Sequence, residues 1–169
     1  MEWNLQPDMT LTPEIFRSAM RAWSAGVTVV TAVQGEERHG MTVNSFTSIS
    51  LEPATISISL QRNTRTYDLI QRSGAFGLTI LADDQAQVSD LFAGRNPEVS
   101  DRIAAVQTET LVSGSPLIVG GLAWLDCRIV HTYDAGMSTL FIAEVLAARG
   151  TDRGAPLIYH NREYWNLSK

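Results

Sequence analysis

Most of the chain alternates apolar and polar residues with the period of two that is typical of a β-strand. The run TISISL at residues 55–60 is the clearest example, because its aliphatic residues share one face and its hydroxyl residues occupy the other. Continuous β-branched or aromatic runs between turn residues indicate further strands. The pattern predicts strands over residues 27–33, 39–51, 55–60, 75–81, 122–133, 138–148 and 155–165.

Helical spacing is confined to three segments. The first has Thr12 as N-cap and Pro13 at the first helical position, and it ends at Gly26. Its apolar positions, at amphipathic spacing, are Ile15, Phe16, Met20 and Trp23. The second helix covers residues 64–74 and ends at Gly74. The third covers residues 83–94, with Asp83 or Asp84 as cap and Gly94 as the stop.

Many short strands with turns between them, and only three helices, predict a mainly β fold: an antiparallel barrel flanked by a few short helices. Strands and helices do not alternate, which argues against a doubly wound parallel sheet. A length of 169 residues predicts one domain. We expect residues 1–11 to form a loose arm and residues 12–169 to form that domain.

The stretch HGMTVNSFTSISL at residues 39–51 departs from a simple alternation. Its two ends alternate correctly, but Phe46 falls on the wrong face. Neutral hydrogen-bonding residues crowd its middle, namely Thr42, Asn44, Ser45, Thr47, Ser48 and Ser50. Such a lining suits a planar, polar heteroaromatic ligand, or a phosphate if backbone N–H groups turn toward it. A solvent-facing strand is the alternative interpretation.

Composition excludes several classes of function. Hydrophobic residues make up 44% of the chain and charged residues 18%, which is typical of a folded globular protein. The net charge of -5 argues against nucleic acid or an anionic membrane as partner. The chain lacks an apolar run of about 18 residues and a signal-peptide pattern, so we expect no membrane association and a cytoplasmic location.

Familiar catalytic sets are absent from the sequence. His39, His131 and His160 lack metal-ligand spacing, so we expect them to be exposed or hydrogen-bonded for structural reasons, and we expect no metal site. Cys127, the single cysteine, is interpreted as a small buried hydrophobe. No nucleophile elbow, phosphate-binding loop or dinucleotide fingerprint occurs. The segment SDLFAG at residues 89–94 is a weak further candidate site at a helix end.

Several segments, taken in order, resemble the short-chain flavin reductases of two-component flavoprotein monooxygenases. The similarity is greatest to the reductases of styrene and phenol hydroxylating systems, and it covers about residues 14–166. HGMTVNSFTSISLEPATISISL at residues 39–60 is the most specific segment, and QAQVSDLFAG at residues 85–94 is moderately specific. The other matching segments are GVTVVTA, TRTYDLI, FGLTIL, LAWLDCRIV, TLFIAEV and APLIYHNREY.

The resemblance implies a split β-barrel that binds flavin, usually as a homodimer with flavin near the subunit interface. It implies hydride transfer from NADH or NADPH to FAD or FMN, and release of reduced flavin to a separate oxygenase. The flavin itself performs the hydride chemistry, so no side chain need act as an acid or a base. A reductase that hands over its flavin should hold it with neutral groups rather than tightly.

The resemblance also assigns residues to the cofactor site. It implies contacts to the flavin ring and ribityl chain from Thr42, Val43, Asn44, Ser45 and Phe46. Ser59 and Leu60 would line the same cleft. Thr64, at the start of a helix, would lie near phosphate, as the anion preference of helix N-termini favours. Phe92, Ala93 and Gly94 would close the opposite side.

One segment departs from the family pattern. The family usually has Gly-Asp-His before the strand TLFI, and that histidine lies beside the nicotinamide. Here the segment is Gly136-Met137-Ser138, and Ala143 replaces a glycine that is common later in the strand. A serine can hydrogen-bond a carboxamide but cannot stack on a pyridine ring. Either other groups replace the histidine, or nicotinamide binding is weakened and the fold uses flavin differently.

Three hypotheses follow. The first is an NAD(P)H-dependent flavin reductase that serves a partner monooxygenase. The second is an enzyme that retains its flavin and acts on a small organic substrate without nicotinamide. The third is a flavin carrier or structural barrel without turnover, although a barrel that binds nothing would fill the face of residues 39–51 with more apolar side chains.

Overall fold

A computed structural model of the chain describes residues 10–152 and 154–167. Residues 1–9 of the predicted arm, and the last two residues of the predicted domain, lie outside the described residues. The helices are α1 (Pro13–Ala19), which continues as a 3-10 turn at Met20–Ala22, α2 (Arg65–Ser73) and α3 (Ala86–Phe92). The strands are β1 (Ala25–Gly26), β2 (Thr28–Gln34), β3 (Glu37–Val43), β4 (Thr47–Leu51), β5 (Ala54–Gln61), β6 (Ala75–Ile80), β7 (Thr108–Glu109), β8 (Leu117–Ile118), β9 (Ala123–Ala135), β10 (Ser138–Gly150), β11 (Ile158–His160) and β12 (Glu163–Trp165).

Seven strands form one antiparallel sheet in the order β3-β2-β6-β9-β10-β5-β4. Its two edges, β3 and β4, are consecutive in the sequence and are joined only by residues 44–46. Four residue steps reach at most about 14 Å, whereas seven flat strands would hold the edges about 29 Å apart. The sheet must therefore curl until its edges approach each other, and the mainly β, barrel-like fold predicted from the sequence is confirmed.

Two clusters of buried side chains fill the space around this sheet. One contains Ile58, Leu69 and Phe141 and lies where α2 packs on the sheet. The other contains Val29, Phe92 and Leu157, which come from β2, α3 and the approach to β11. The second cluster therefore ties α3 and the C-terminal segment to the sheet on the side of β2 and β3.

The end predicted for α2 at Gly74 is confirmed, and the structure adds an N-cap at Thr64. The Thr64 hydroxyl accepts a hydrogen bond from the Tyr67 N–H at 3.3 Å, and Gly74 ends the helix with a φ of 69°. The first helix is shorter than predicted, because the chain is already extended at Trp23 (ψ 125°). It must extend there because Ala25 and Gly26 pair with β11 instead of continuing the helix.

Three other predicted elements were wrong in detail. Residues 39–51 form two strands, because Asn44–Phe46 must connect opposite edges of the sheet. Residues 155–165 contain the hairpin β11–β12, whose turn residues Asn161 and Arg162 have φ of 47° and 69°. The N-cap position of α3 is Gln85 and not Asp83 or Asp84, and the Gln85 side chain accepts from the Ala82 N–H at 3.0 Å instead of bonding to the first turn of the helix.

Candidate functional site

Three cavities meet at Asn44–Phe46, where β3 has ended and β4 has not begun. The tyrosine pocket, of about 180 Å³, is lined by Val27, Thr42, Asn44, Ser89, Ala93, Arg95, Tyr159 and Tyr164. The arginine groove, of about 490 Å³, is lined by Arg17, Met20, Arg21, Trp23, Asn44, Ser45, Tyr159, Asn161 and Arg162. The strand-break groove, of about 460 Å³, is lined by residues 23–26, Thr28, residues 44–47 and Ile80. Asn44 borders all three cavities.

Hydrogen bonds from Ser45 fix the strand break against β5. Its hydroxyl donates to the Ser59 carbonyl oxygen at 2.7 Å and accepts from the Ser59 N–H at 3.0 Å. These two side-chain bonds take the place of the backbone hydrogen bonds that the interrupted strand cannot make with β5. Since its one proton is already donated, Ser45 can offer a ligand its backbone but no hydroxyl proton. Asn44 is exposed, and its side chain makes no hydrogen bond within the described residues.

A second set of hydrogen bonds joins β3, α3 and β12 around the tyrosine pocket. The Thr42 hydroxyl donates to the Ser89 carbonyl oxygen at 2.6 Å. The Tyr164 hydroxyl lies 2.8 Å from Ser89 Oγ and donates to Asp90 Oδ1 at 2.7 Å, and Arg95 pairs with the same carboxylate. Burial raises the pKa of Tyr164, so its hydroxyl stays protonated and remains a donor.

Three of the predicted flavin residues are buried in the core. Val43 (5% exposed) and Leu60 (2%) belong to the cluster beneath α2, and Phe92 (1%) belongs to the other cluster. The Phe92 ring packs on Gly40, where a Cβ atom would lie 2.9 Å from Phe92 Cε1. The side chains of Val43, Leu60 and Phe92 line none of the three cavities, so they support the site from behind.

Thr64, Gly94 and Ser138 also lie outside the lining of the three cavities. The Thr64 hydroxyl donates to the Gln61 carbonyl oxygen at 2.9 Å while capping α2. Gly94 has a φ of 76° and lies against the Arg102 guanidinium. Ser138 begins β10 opposite Gln61, and the neighbouring Met137 is 83% exposed. Among the predicted flavin residues, the cavities bring together Thr42, Asn44, Ser45, Phe46 and Ala93.

Sequence reasoning missed the residues that the chain termini bring to the cavities. Trp23, interpreted as part of the apolar face of a helix, is 69% exposed and lines both grooves. Tyr159, Tyr164 and Arg162 come from the C-terminal hairpin, more than a hundred residues away in the sequence. No spacing or motif could have revealed this grouping, because only the pairing of β1 with β11 creates it.

The structural roles predicted for histidine and cysteine are supported by their contacts. His39 Nδ1 lies 2.7 Å from the Thr66 hydroxyl, His160 Nδ1 lies 2.9 Å from the Ser24 hydroxyl, and His131 is exposed. Cys127 is buried, and burial raises its pKa to about 12, so it is no nucleophile. In residues 10–152 and 154–167, no group of His, Cys, Asp and Glu side chains could hold a metal ion.

Comparison with known proteins shows which family the chain belongs to. Residues 20–168 match the family model described as a flavin reductase like domain. The chain belongs to this family. Flavin reductase-like proteins were the resemblance inferred from residues 39–60 and 85–94, and that inference is confirmed.

Two curated relatives and one solved structure illustrate the similarity. The FMN reductase (NADH) RutF of Stutzerimonas stutzeri (strain A1501) is 34% identical over 92% of this chain and 88% of its own. The reductase component of 4-hydroxyphenylacetate 3-monooxygenase from Thermus thermophilus is 32% identical over 91% of this chain and 96% of its own. The styrene monooxygenase flavin reductase of Pseudomonas putida S12 is 34% identical, with a TM-score of 0.82, over 91% of this chain and 97% of its own.

The solved styrene monooxygenase flavin reductase shares the fold over nearly its entire length, which confirms the predicted split-barrel architecture. Within the part of the chain that the structure describes, no helix has the length and hydropathy needed to cross a bilayer.

Proposed function

We propose that this protein is an NADH-dependent flavin reductase that supplies reduced flavin to a separate monooxygenase component. The observation that carries the proposal is membership of the flavin reductase-like family over residues 20–168. The relatives described above are named for NADH, for FMN and for monooxygenases, which supports both substrates and the oxygenase partner.

The cavities around the strand break fit a flavin. The two grooves, of about 490 and 460 Å³, each fall within the usual range for small-molecule sites. Around Asn44–Phe46 the lining is neutral and polar, which suits the carbonyls and ring nitrogens of an isoalloxazine. The flavin would accept the hydride when bound. The task of the chain's own residues is to bind the ring and exclude water from it.

We propose that Thr42, Asn44, Ser45, Phe46 and Ala93 border the flavin directly. Val43, Ser59, Leu60 and Phe92 support these residues through the core and through the hydrogen bonds of Ser45. Thr64 and Gly94 line none of the three cavities, so their contacts with phosphate and with the opposite side of the ring stay predictions of the family resemblance. Ser138 keeps the nicotinamide-facing position as a hydrogen-bonding replacement for histidine. The proposed hydride donor is NADH, and the acceptor is FMN or FAD.

Turnover tests the proposed reductase activity. Oxidation of NADH and of NADPH is followed by the loss of nicotinamide absorbance, with FMN or FAD added and without flavin. Flavin-dependent oxidation of NADH is expected, and oxidation no faster than in the flavin-free control with either nucleotide would reject the proposal.

Asn44→Ala should raise the flavin concentration needed for half-maximal rate about tenfold, since one exposed polar contact is removed. Asn166→Ala, an exposed asparagine outside the cavities, is the matched control.

No feature of the described residues favours the flavin-retaining alternative. It predicts a purified protein that stays yellow through gel filtration and oxidises no NADH. Colourless protein with rapid NADH oxidation would reject it.

We further propose a homodimer that uses exposed apolar side chains of β4, β9 and the β9–β10 turn. These side chains are Ile49 (52%), Leu51 (87%), Tyr133 (66%) and Met137 (83%). An apolar surface of this kind on a soluble chain indicates a protein partner, and the family resemblance suggests a second copy. Sedimentation velocity should give twice the monomer mass.

Two further expectations belong to the same proposal. Residues 12–169 act as one domain, since the described part shares one seven-stranded sheet and two adjoining cores. The site of action is the cytoplasm, in keeping with a single free thiol and no need for disulfides.

A further inference from the structure

The arginine groove carries positive charge that no neighbouring residue balances. Arg17, Arg21 and Arg162 line it together with Trp23, and none of the described residues that line it is acidic. Arg17 has a loose ion pair with Glu14 at 3.7 Å, in which both side chains are mostly exposed. Within the described residues, the side chains of Arg21 and Arg162 make no ion pair or hydrogen bond. In a protein with a net charge of -5, two unpaired guanidinium groups beside a third that is loosely paired indicate an anionic ligand.

A second cavity with arginines lacks this imbalance. It is lined by Arg38, Arg65 and Arg102, but also by Glu36, Glu37 and Asp101. Arg38 pairs with Asp101 at 2.9 Å within that cavity. Its charges are balanced, so the arginine groove is the stronger candidate for an anion.

Trp23 adds an aromatic surface to the charged groove. Its side chain is 69% exposed, and no described aromatic ring stacks on it. A tryptophan exposed in this way beside unpaired arginines is the combination that binds a base and its phosphates. The ring stacks on the base, and guanidinium groups form paired hydrogen bonds with phosphate oxygens.

The groove is continuous with the proposed flavin site. Both the arginine groove and the strand-break groove are lined by Trp23, Asn44 and Ser45. A ligand whose reactive ring lies at the strand break could therefore extend its tail along Arg21 and Arg162 without leaving the surface.

We propose that the arginine groove binds the ADP moiety of a dinucleotide, with Trp23 stacking on adenine and Arg17, Arg21 and Arg162 binding the diphosphate. This inference rests on the proposed reductase function, because the dinucleotide is either the hydride donor NADH or the acceptor FAD. Both contain the same ADP group, and the groove recognises that shared group.

Binding of ADP alone tests the groove without any turnover. Isothermal titration of the full chain with ADP should give saturable binding, and Arg21→Gln and Arg162→Gln should each weaken it about tenfold. Trp23→Leu should weaken adenosine as well as ADP. Arg65→Gln removes an exposed arginine that has no ion pair in the described residues and lines the other cavity, so it is the matched control and should leave ADP binding unchanged. ADP binding that is absent, or that falls with Arg65→Gln but not with Arg21→Gln, would overturn the proposal.

Kinetics then identifies the dinucleotide. With FMN as acceptor, a rise in the KM for NADH in Arg21→Gln at unchanged kcat assigns the groove to NADH. A weaker Kd for FAD at unchanged Kd for FMN assigns it to FAD. Either result supports the groove, and variants that alter neither quantity contradict it. Failure of the reductase function is distinguishable, since it would appear as ADP binding without flavin-dependent NADH oxidation.

Discussion

The same tetrapeptide, Ser-Ile-Ser-Leu, occurs twice in this protein with opposite environments. At residues 48–51 it lies in edge strand β4, where Ile49 is 52% and Leu51 87% exposed. At residues 57–60 it lies in the interior strand β5, where Ile58 is 0% and Leu60 2% exposed. Four identical residues therefore contribute to a core in one strand and to an outer surface in the next.

Position in the sheet explains the difference. Strand β5 pairs with β10 and with β4, and its alternation is unbroken, so every second residue faces the core. Strand β4 has one neighbour, and its register shifts between Ser48 and Ser50, which leaves Ile49 unpaired. A shift of one residue changes which face a side chain occupies. Pairing context, and not local composition, decides which copy is buried.

The largest expected effect comes from truncating the same isoleucine in each copy. Ile58→Ala should lower the free energy of unfolding by about 2–5 kcal/mol, because it leaves a cavity in a closed core. Ile49→Ala should lower it by less than about 1 kcal/mol, since half of that side chain is already exposed. Urea denaturation of both variants measures the difference. Equal losses would show that the two copies are not energetically distinct.

The serines of the strand break and of β4 give a smaller contrast. Ser45→Ala should cost about 1–3 kcal/mol, because the Ser59 N–H and carbonyl oxygen both lose their part-buried partner. Ser50→Ala should change stability by less than about 0.5 kcal/mol, since its hydroxyl makes one exposed bond of 3.3 Å. Urea denaturation again measures both variants. If Ser45→Ala were as harmless as Ser50→Ala, the strand break would be held by other contacts.

The repeated tetrapeptide also marks how far the sequence could predict the structure. Alternation predicted the buried face of β5, and Gly74 predicted the end of α2, because both signals depend on near neighbours. The interruption at Asn44–Phe46 was missed, since it arises from joining the two sheet edges. Family resemblance supplied the site near Asn44. The contribution of Trp23 depends on contact with the distant C-terminal hairpin, which no local pattern encodes.

A charged residue in β4, the edge-strand copy of the tetrapeptide, should affect dimerisation and the stability of the fold differently. Ile49→Lys should change the unfolding free energy of the monomer itself by less than about 0.5 kcal/mol, because lysine is tolerated on exposed edge strands, and it should remove the concentration-dependent stabilisation that association adds. It should nonetheless convert the proposed homodimer to monomer. Sedimentation velocity and urea denaturation of the same sample measure the two properties, and a variant that remains dimeric would move the interface elsewhere.

Burial of His39 should also make the free energy of unfolding depend on pH. We expect this to be the smallest of the effects. Burial lowers the pKa of His39, and the nearby Arg102 and Arg65 lower it further. Below pH 6.5 the unfolded chain therefore binds a proton that the folded chain resists, so the free energy of unfolding falls as pH decreases through that window. His39→Gln should flatten this slope. A slope unchanged in His39→Gln would assign the pH dependence to other groups.

The three residues that join the sheet edges have an engineering consequence. Residues 44–46 join the two edges of the sheet, and they also line the cavities of the proposed binding site. The same short segment therefore closes the barrel and forms part of the site. Lengthening this segment by a glycine or two would widen the gap between β3 and β4 and enlarge the entrance to the site together. Loop length at one position thus provides a means of tuning ligand size without touching the core.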